Sequence, residues 1–343
     1  MVRRGAVVLL LTILHLYAAQ GTATARSSAI VMATARPKKG KGKSKPPKAA
    51  QGGFGGFSAQ PKTVTIPSLQ LSSGVSIPAL GFGTYRTGGV ELRAALDHAI
   101  AVGYRHIDTA RVYQNEAVVG AAIAASGIPR EEFFITTKLW GTDHGDENAR
   151  RAIQLSLSEL GMEYVDSVLI HGPDNLGSSA EEKILLRQQT WQVMEEQLEA
   201  GSVRTIGVSN FEARHVESIL ACGSIKPTIN QVEMHAYLAQ SELRAYCAKE
   251  DILLTAYGSV GAEGLRTDPM VQDIAKVHKR TPAQISLRHT LQRGAIVLAK
   301  STTPKRITKN AQIFDFELSP DEVAALDVLD AAARSYWDNS DVP

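Results

Sequence analysis

The stretch "GFGTYRTGG", residues 81–89, decides between two folds. A glycine-rich turn after a strand-like run is the usual cradle for a dinucleotide pyrophosphate. That fingerprint needs G-x-G-x-x-G between a strand and a helix, with an acid about 20 residues further on. Gly81 and Gly83 fill the first two positions, but Arg86 stands at the third. Asp108 lies at a suitable distance, yet inside "RHIDTARVY" (105–113), a segment with chemistry of its own. The stretch therefore reads better as a strand and its exit, and the fold has to be read from what surrounds it.

Upstream, "VTIPSLQLSSGVSIP" (64–78) carries a hairpin signal with Ser73-Gly74 at its turn. From "ALGFGT" (79–84) onward, short β-branched apolar runs recur at "YRHIDTA", "FFITTKL", "VDSVLIHG", "VRTIGVS", "TINQVEM", "ILLTAYG" and "AIVLAKS". Helical spacing fills the intervals. In "VELRAALDHAIAVG" (90–103) Leu92, Leu96 and Ile100 share a face and Gly103 ends it; in "NARRAIQLSLSELG" (148–161) Ile153, Leu157 and Leu160 do the same before Gly161. Eight strands, each followed by a helix, close most economically into a (β/α)8 TIM barrel with the hairpin capping one end. An open doubly wound sheet accommodates the same elements.

A barrel makes a demand on the polar residues, because its active site lies at the C-terminal ends of the strands. Asp108 ends the second run, Lys138 the third, His171 the fourth, Ser209 and Asn210 the fifth; Gln231 lies in the sixth, Tyr257 ends the seventh and Lys300 the eighth. They converge on one mouth. There Asp108, Tyr113, Lys138 and His171 suit a general acid with its tuning groups. Lys138 beside the Tyr113 hydroxyl should favour phenolate and lower its pKa, Asp108 should keep Lys138 charged and oriented, and His171 should donate to a substrate oxygen. Singly each has a dull role: helix cap, first-turn packing, solvated strand end, structural histidine.

Seven blocks add a resemblance: "GYRHIDTARVYQNEAVVG", "FITTKLWGT", "YVDSVLIHGP", "VRTIGVSNF", "KPTINQVEMHAYL", "LLTAYGSVG" and "VLAKSTTPKRITKN". In that order, from about Thr63 to Ala332, the chain resembles the aldo-keto reductases of the aldose-reductase-like kind. The resemblance implies a (β/α)8 barrel that binds NADPH across its mouth and reduces a small-molecule carbonyl without metal or flavin. It implies a catalytic tetrad of Asp108, Tyr113, Lys138 and His171, with Tyr113 as proton donor. It assigns Ser209, Asn210 and Gln231 to the nicotinamide carboxamide, Tyr257 to stacking on that ring, and Asn310 to the adenine, with Asp108 also near the cofactor.

In this reading the glycines of residues 81–83 relieve crowding at a turn near substrate and cofactor, and the phosphate goes to "KSTTPKRITKN" (300–310) instead. Thr303 is a candidate N-cap and Pro304 a first-turn residue, so backbone N–H groups at this helix start open toward an anion, with Lys300 and Arg306 adding two cations and Ser301 and Thr302 expected at the cofactor too. Two added cations suit the 2′-phosphate of NADP better than the bare ribose of NAD.

Tyr85 stands where many family members have tryptophan, and Gly172 where a bulky residue is frequent, which predicts a wider pocket on that side. "YGSVG" (257–261) departs from the usual Tyr-Ser-Pro-Leu-Gly, and Lys309 occupies a position often acidic. Trp140 is the expected pocket wall. Trp337, in the short tail "RSYWDNSDVP" (334–343), either reaches the pocket or covers the barrel. Two rival functions stay open: a Schiff-base aldolase with Lys138 as nucleophile, and a non-catalytic NADPH-binding redox-sensing subunit.

Composition bounds the rest. The 343 residues are 44% hydrophobic with a formal net charge of +2, and no Asp or Glu precedes Glu91 while Arg and Lys crowd the first fifty positions. The basic excess belongs to a leader, so nucleic-acid binding by the folded part gains no support, and no motif stands behind a membrane role. A monomer is expected. Residues 1–25 have the basic start, apolar run and small-residue end of a secretory signal. Residues 26–61 are an acid-free, basic, Ala/Ser/Gly/Pro-rich segment of transit-peptide and linker character, leaving 62–333 for the barrel. Signal followed by transit segment resembles a bipartite plastid leader; secretion or an endomembrane lumen is the alternative. Cys222 and Cys247 imply no disulfide framework.

Overall fold

The computed structural model describes residues 63–343; the leader segments 1–25 and 26–61 lie outside them. Short β-branched apolar runs, too short for helices, become strands here, and because helices cover the outside they are buried on both faces. β5 (Phe134–Leu139) and β6 (Val165–Ile170) are buried at every position. With β3 (Leu80–Gly83), β4 (His106–Asp108), β7 (Val203–Ser209), β8 (Ile229–Glu233), β9 (Leu253–Tyr257) and β10 (Ile296–Ala299) they form a closed barrel in the order β10-β3-β4-β5-β6-β7-β8-β9. All of its ladders are parallel. The open-sheet alternative is thereby excluded.

Helices α1 (Gly89–Val102), α2 (Glu116–Ala125), α3 (Asp146–Leu160), α4 (Ala180–Glu199), α5 (Ala213–Leu220) and α6 (Ser241–Lys249) follow β3 to β8 in turn. α7 (Pro269–His278) and α8 (Pro282–Gln292) lie between β9 and β10, and α9 (Pro304–Ala311) and α10 (Pro320–Asp327) follow β10. α1 buries Leu92, Leu96 and Ile100 as its spacing predicts and ends at Gly103, whose φ of 118° is left-handed. A Cβ there would also stand 2.4 Å from the Val64 carbonyl, so only glycine fits. Among the described residues no helix is long and apolar enough to cross a membrane.

The hairpin of β1 (Ser68–Gln70) and β2 (Ser76–Pro78) turns at Gly74, as its sequence predicts. Its Leu71 and Ile77 pack with Phe134, Ile229 and Ile296, the first residues of three barrel strands. It therefore closes the N-terminal end of the barrel and leaves the C-terminal end for chemistry.

Register accounts for the glycines of residues 81–83. A Cβ on Gly81 would lie 2.5 Å from Leu298 Cδ2 and 2.6 Å from His106 Nδ1, so the side chains of β10 and β4 fill the space. The crowding predicted at the turn sits instead within the barrel wall. Gly83, at the end of β3, lines the cavity at the mouth.

Candidate active site

Parallel register sets the first contacts. Asp108 pairs with Thr136, so Lys138, two residues further along β5, faces the same way one step nearer the mouth. Lys138 Nζ donates to Asp108 Oδ1 at 2.6 Å and to the Thr109 carbonyl at 2.8 Å, with no part of its side chain exposed. The other Asp108 oxygen accepts from Gln231 Nε2 at 2.7 Å. Burial lowers the Lys138 pKa and the Asp108 carboxylate opposes that shift.

Tyr113 comes from a single 3₁₀ turn, Arg111–Tyr113, that leaves β4. Asn115 pins the loop, accepting from Thr109 Oγ1 at 2.6 Å and donating to the carbonyls of Thr84 and Thr87 at 3.1 and 2.9 Å. Tyr113 Oη then stands 3.3 Å from His171 Nε2, and Lys138 Nζ lies 5.3 Å from the centre of the tyrosine ring. Burial, reinforced by the Asp108 charge, holds the Tyr113 phenol well above its ordinary pKa. That corrects the expectation that Lys138 pulls it down: the ammonium is engaged by Asp108 and Thr109, and removing the phenol from water outweighs it. His171 is shifted the other way, well below its usual value, by burial and by the Lys138 charge. At neutral pH the site holds a protonated phenol beside a neutral imidazole.

A cavity of about 300 Å³ opens at this point. Asp108, Tyr113, His171, Tyr257 and Lys300 line it, as do Ser209, Asn210 and Gln231 and the expected pocket residue Tyr85. The polar groups at the ends of β7 and β9 are paired across the mouth. Ser209 Oγ donates to the Gln231 carbonyl (2.8 Å), Asn210 Nδ2 to the His171 carbonyl (2.8 Å), and Tyr257 Oη to Asn210 Oδ1 (2.7 Å). Asn210 is left-handed, φ 60°, which aims its amide across the mouth.

Other predicted residues stand off the cavity. Trp140 is one ring removed: it packs edge-on to His171 at 5.0 Å and against Trp337 at 5.7 Å, and Trp337 is the indole that forms the wall. Ser301, Thr302, Arg306 and Asn310 lie beyond Lys300, at and within α9. Thr303 is the N-cap and Pro304 the first residue, as read from sequence, although the Thr303 side chain makes no capping bond. Arg306 is exposed and Asn310 buried. Beside Gly172 the space is open, since a Cβ would meet nothing within 4 Å. Tyr85 packs its ring 5.0 Å from that of Tyr113.

Sequence reasoning missed Asn115, Glu233, Tyr336 and Arg86. Asn115 had a signal, an amide side chain one residue before a helix; Glu233 and Tyr336 acquire their places through the C-terminal tail, and Arg86 lies 5.1 Å over the Tyr85 ring at the cavity. Lys138 as an aldolase nucleophile fails on geometry, because its amine is wholly buried, off the cavity wall and ion-paired.

The residues present fit a nicotinamide dinucleotide. The aromatic Tyr257 and the amides of Asn210 and Gln231 stand at one end, and Lys300 on the wall leads to a helix start that favours an anion.

Residues 79–331 match the Aldo/keto reductase family. The chain belongs to that family. It is 37% identical over 292 residues to aldo-keto reductase family 1 member A1 of Rattus norvegicus, covering 78% of this chain and 90% of the relative. To an aldo-keto reductase of Mycobacterium sp. (strain MCS) it is 43% identical over 269 residues, 78% and 93% of the two chains. Among solved structures, an aldo/keto reductase from Brucella melitensis superposes with TM-score 0.73 at 41% identity, over 78% of this chain and 100% of that one. The aldose reductase from Schistosoma japonicum gives TM-score 0.73 at 38% identity, over 79% and 94%. Membership of this aldo-keto reductase family implies nicotinamide-dependent carbonyl reduction.

Proposed function

We propose that this aldo-keto reductase uses NADPH to reduce an aldehyde or ketone to the alcohol, with Tyr113 as general acid. The observation that carries the reading is the convergence of Tyr113 Oη and His171 Nε2, 3.3 Å apart, on one cavity with the buried Lys138–Asp108 pair beside them. A reduced nicotinamide, when bound, supplies the hydride that the carbonyl carbon receives. The carbonyl oxygen takes its proton from Tyr113 Oη. Burial keeps that phenol protonated until the oxygen becomes basic, and Lys138, 5.3 Å from the ring, stabilises the phenolate left behind. Neutral His171 stabilises charge growing on the same oxygen, and Trp337 and Tyr85 wall the carbonyl in.

Ser209, Asn210, Gln231 and Tyr257 would hold the nicotinamide end. Lys300, Ser301, Thr302 and Arg306 would hold the phosphates, and Asn310 the adenine. Paired cations at the α9 start support NADPH over NADH. The test is a panel of aldehydes, ketones and sugars assayed for oxidation of NADPH and of NADH. Turnover of at least one carbonyl class, preferring NADPH, is expected; tight cofactor binding with no turnover would return the protein to a redox-sensing role.

We propose also that the leader of residues 1–61 is a plastid address. Fused to a fluorescent protein it should deliver the label to plastids, and delivery to the secretory route would contradict this.

A further inference from the structure

The tail of residues 334–343 crosses the mouth of the barrel, and Glu233, the last residue of β8, meets it there. Glu233 is 2% exposed. Its Oε1 accepts from the Ser335 N–H at 2.9 Å, its Oε2 from the Tyr336 N–H at 3.2 Å, and His235 Nε2 stands 3.0 Å from Oε1. Two successive backbone amides on one carboxylate fix the direction of the chain at that step. The next residue is Trp337. Its indole lies 5.4 Å from the His171 ring and 5.7 Å from Trp140, while the Tyr336 ring lies 5.5 Å from Tyr257.

Space for this crossing exists because the loop after β9 carries glycine. A Cβ on Gly258 would come within 3.1 Å of Tyr336 Cε2, and one on Gly261 within 2.9 Å of Tyr336 Oη. Beyond Trp337 the tail is held again, by Asn339 Nδ2 donating to the Asn210 carbonyl (3.0 Å), Arg214 Nη2 to the Asn339 carbonyl (3.1 Å) and His215 Nε2 2.7 Å from the Val342 carbonyl. Trp337 thus hangs between two anchors, with Glu233 as the upstream one.

We propose that Glu233 is a positioning residue for the substrate pocket: its buried carboxylate docks residues 335–336 and thereby sets the Tyr336 and Trp337 rings that complete the wall beside His171. The consequence for substrate rests on the carbonyl-reductase reading; the docking itself does not. A carboxylate suits the place because the Ser335 and Tyr336 N–H groups facing it are donors, and His235 Nε2 donates to it as well in the tautomer that carries its proton there. Glu233→Gln keeps the volume but removes the charge and one of the two acceptor oxygens, so that the Ser335 and Tyr336 N–H groups must share a single neutral amide oxygen.

The test compares full-length wild type with Glu233→Gln by amide hydrogen exchange and by steady-state kinetics on an aryl aldehyde. The amides of Ser335 and Tyr336 should exchange at least about ten-fold faster in the variant, with β5 and β6 amides unchanged. KM should rise several-fold with kcat within about two-fold, and Trp337→Ala should raise KM in the same direction. Unchanged exchange at 335–336, or faster exchange with an unchanged KM, would overturn the proposal. Should Glu233→Gln unfold the barrel, seen as faster β5 and β6 exchange, Ser335→Pro replaces it. That variant deletes one donor from the tail side, and an unaltered Tyr336 amide in it would overturn the docking. If the wild type reduces no carbonyl, the functional reading fails by that result, while the exchange comparison still decides whether Glu233 holds the tail.

Discussion

Lys138 and Asp108 do more together than either does alone. The ammonium has three N–H donors and two are engaged, at 2.6 Å by Asp108 and 2.8 Å by Thr109. Desolvation of both charges is offset only while both are present. Lys138→Met should therefore destabilise the fold by about 3–5 kcal/mol, because it leaves a buried carboxylate with Gln231 as its remaining side-chain partner. Denaturant unfolding reads this directly, and wild-type stability in the variant would mean that the pair is not a structural unit. The type and placement of these residues were legible in the sequence, since a charge at the end of an apolar run is costly to bury unless a partner or a reaction uses it. The raised pKa of Tyr113 was not. It depends on how completely the assembled mouth buries the phenol and on the Asp108 charge brought beside it, which no local pattern encodes.

At the scale of elements, α9 divides the labour of the site. Lys300 reaches the cavity wall and Arg306 stands on the first turn of an eight-residue helix whose N-terminus favours an anion. Changing both Lys300 and Arg306 to Met should weaken NADPH by about ten-fold or more while NADH loses about two-fold, as expected when two charge-assisted bonds to a 2′-phosphate are lost. Fluorescence titration with each nucleotide checks it; equal losses would place the phosphate elsewhere. The strands and helices that carry the site were readable from period and punctuation, down to Gly103 and the Ser73-Gly74 turn. The tail was not, because its docking uses backbone amides meeting a carboxylate 102 residues away and leaves no side-chain signature. That Trp140 stands one ring back from the cavity was hidden for the same reason: the ring in front of it, Trp337, belongs to that tail.

For the whole molecule, buried histidines set a pH limit. Burial lowers His106 and His144 from the ordinary 6.5 to about 4 each, and moves His171 in the same direction. Between about pH 6.5 and 4 the unfolded chain binds protons that the native state refuses, so stability falls as pH falls. Each such histidine contributes up to about 1.4 kcal/mol per pH unit in that window. Unfolding free energies measured from pH 8 to 4 should be flat above about 7 and decline steeply below 6.5. A profile flat down to pH 5 would show that these imidazoles take up protons without unfolding.

The chemistry of the barrel mouth turns on Tyr113 delivering the proton. Tyr113→Phe removes one oxygen atom from the cavity and keeps the ring that packs on Tyr85. In steady-state assays of that variant, kcat for carbonyl reduction should fall by about 10²–10⁴-fold while NADPH affinity stays within a few-fold. A variant that kept carbonyl reduction within about ten-fold of wild type would contradict the role of Tyr113 as general acid.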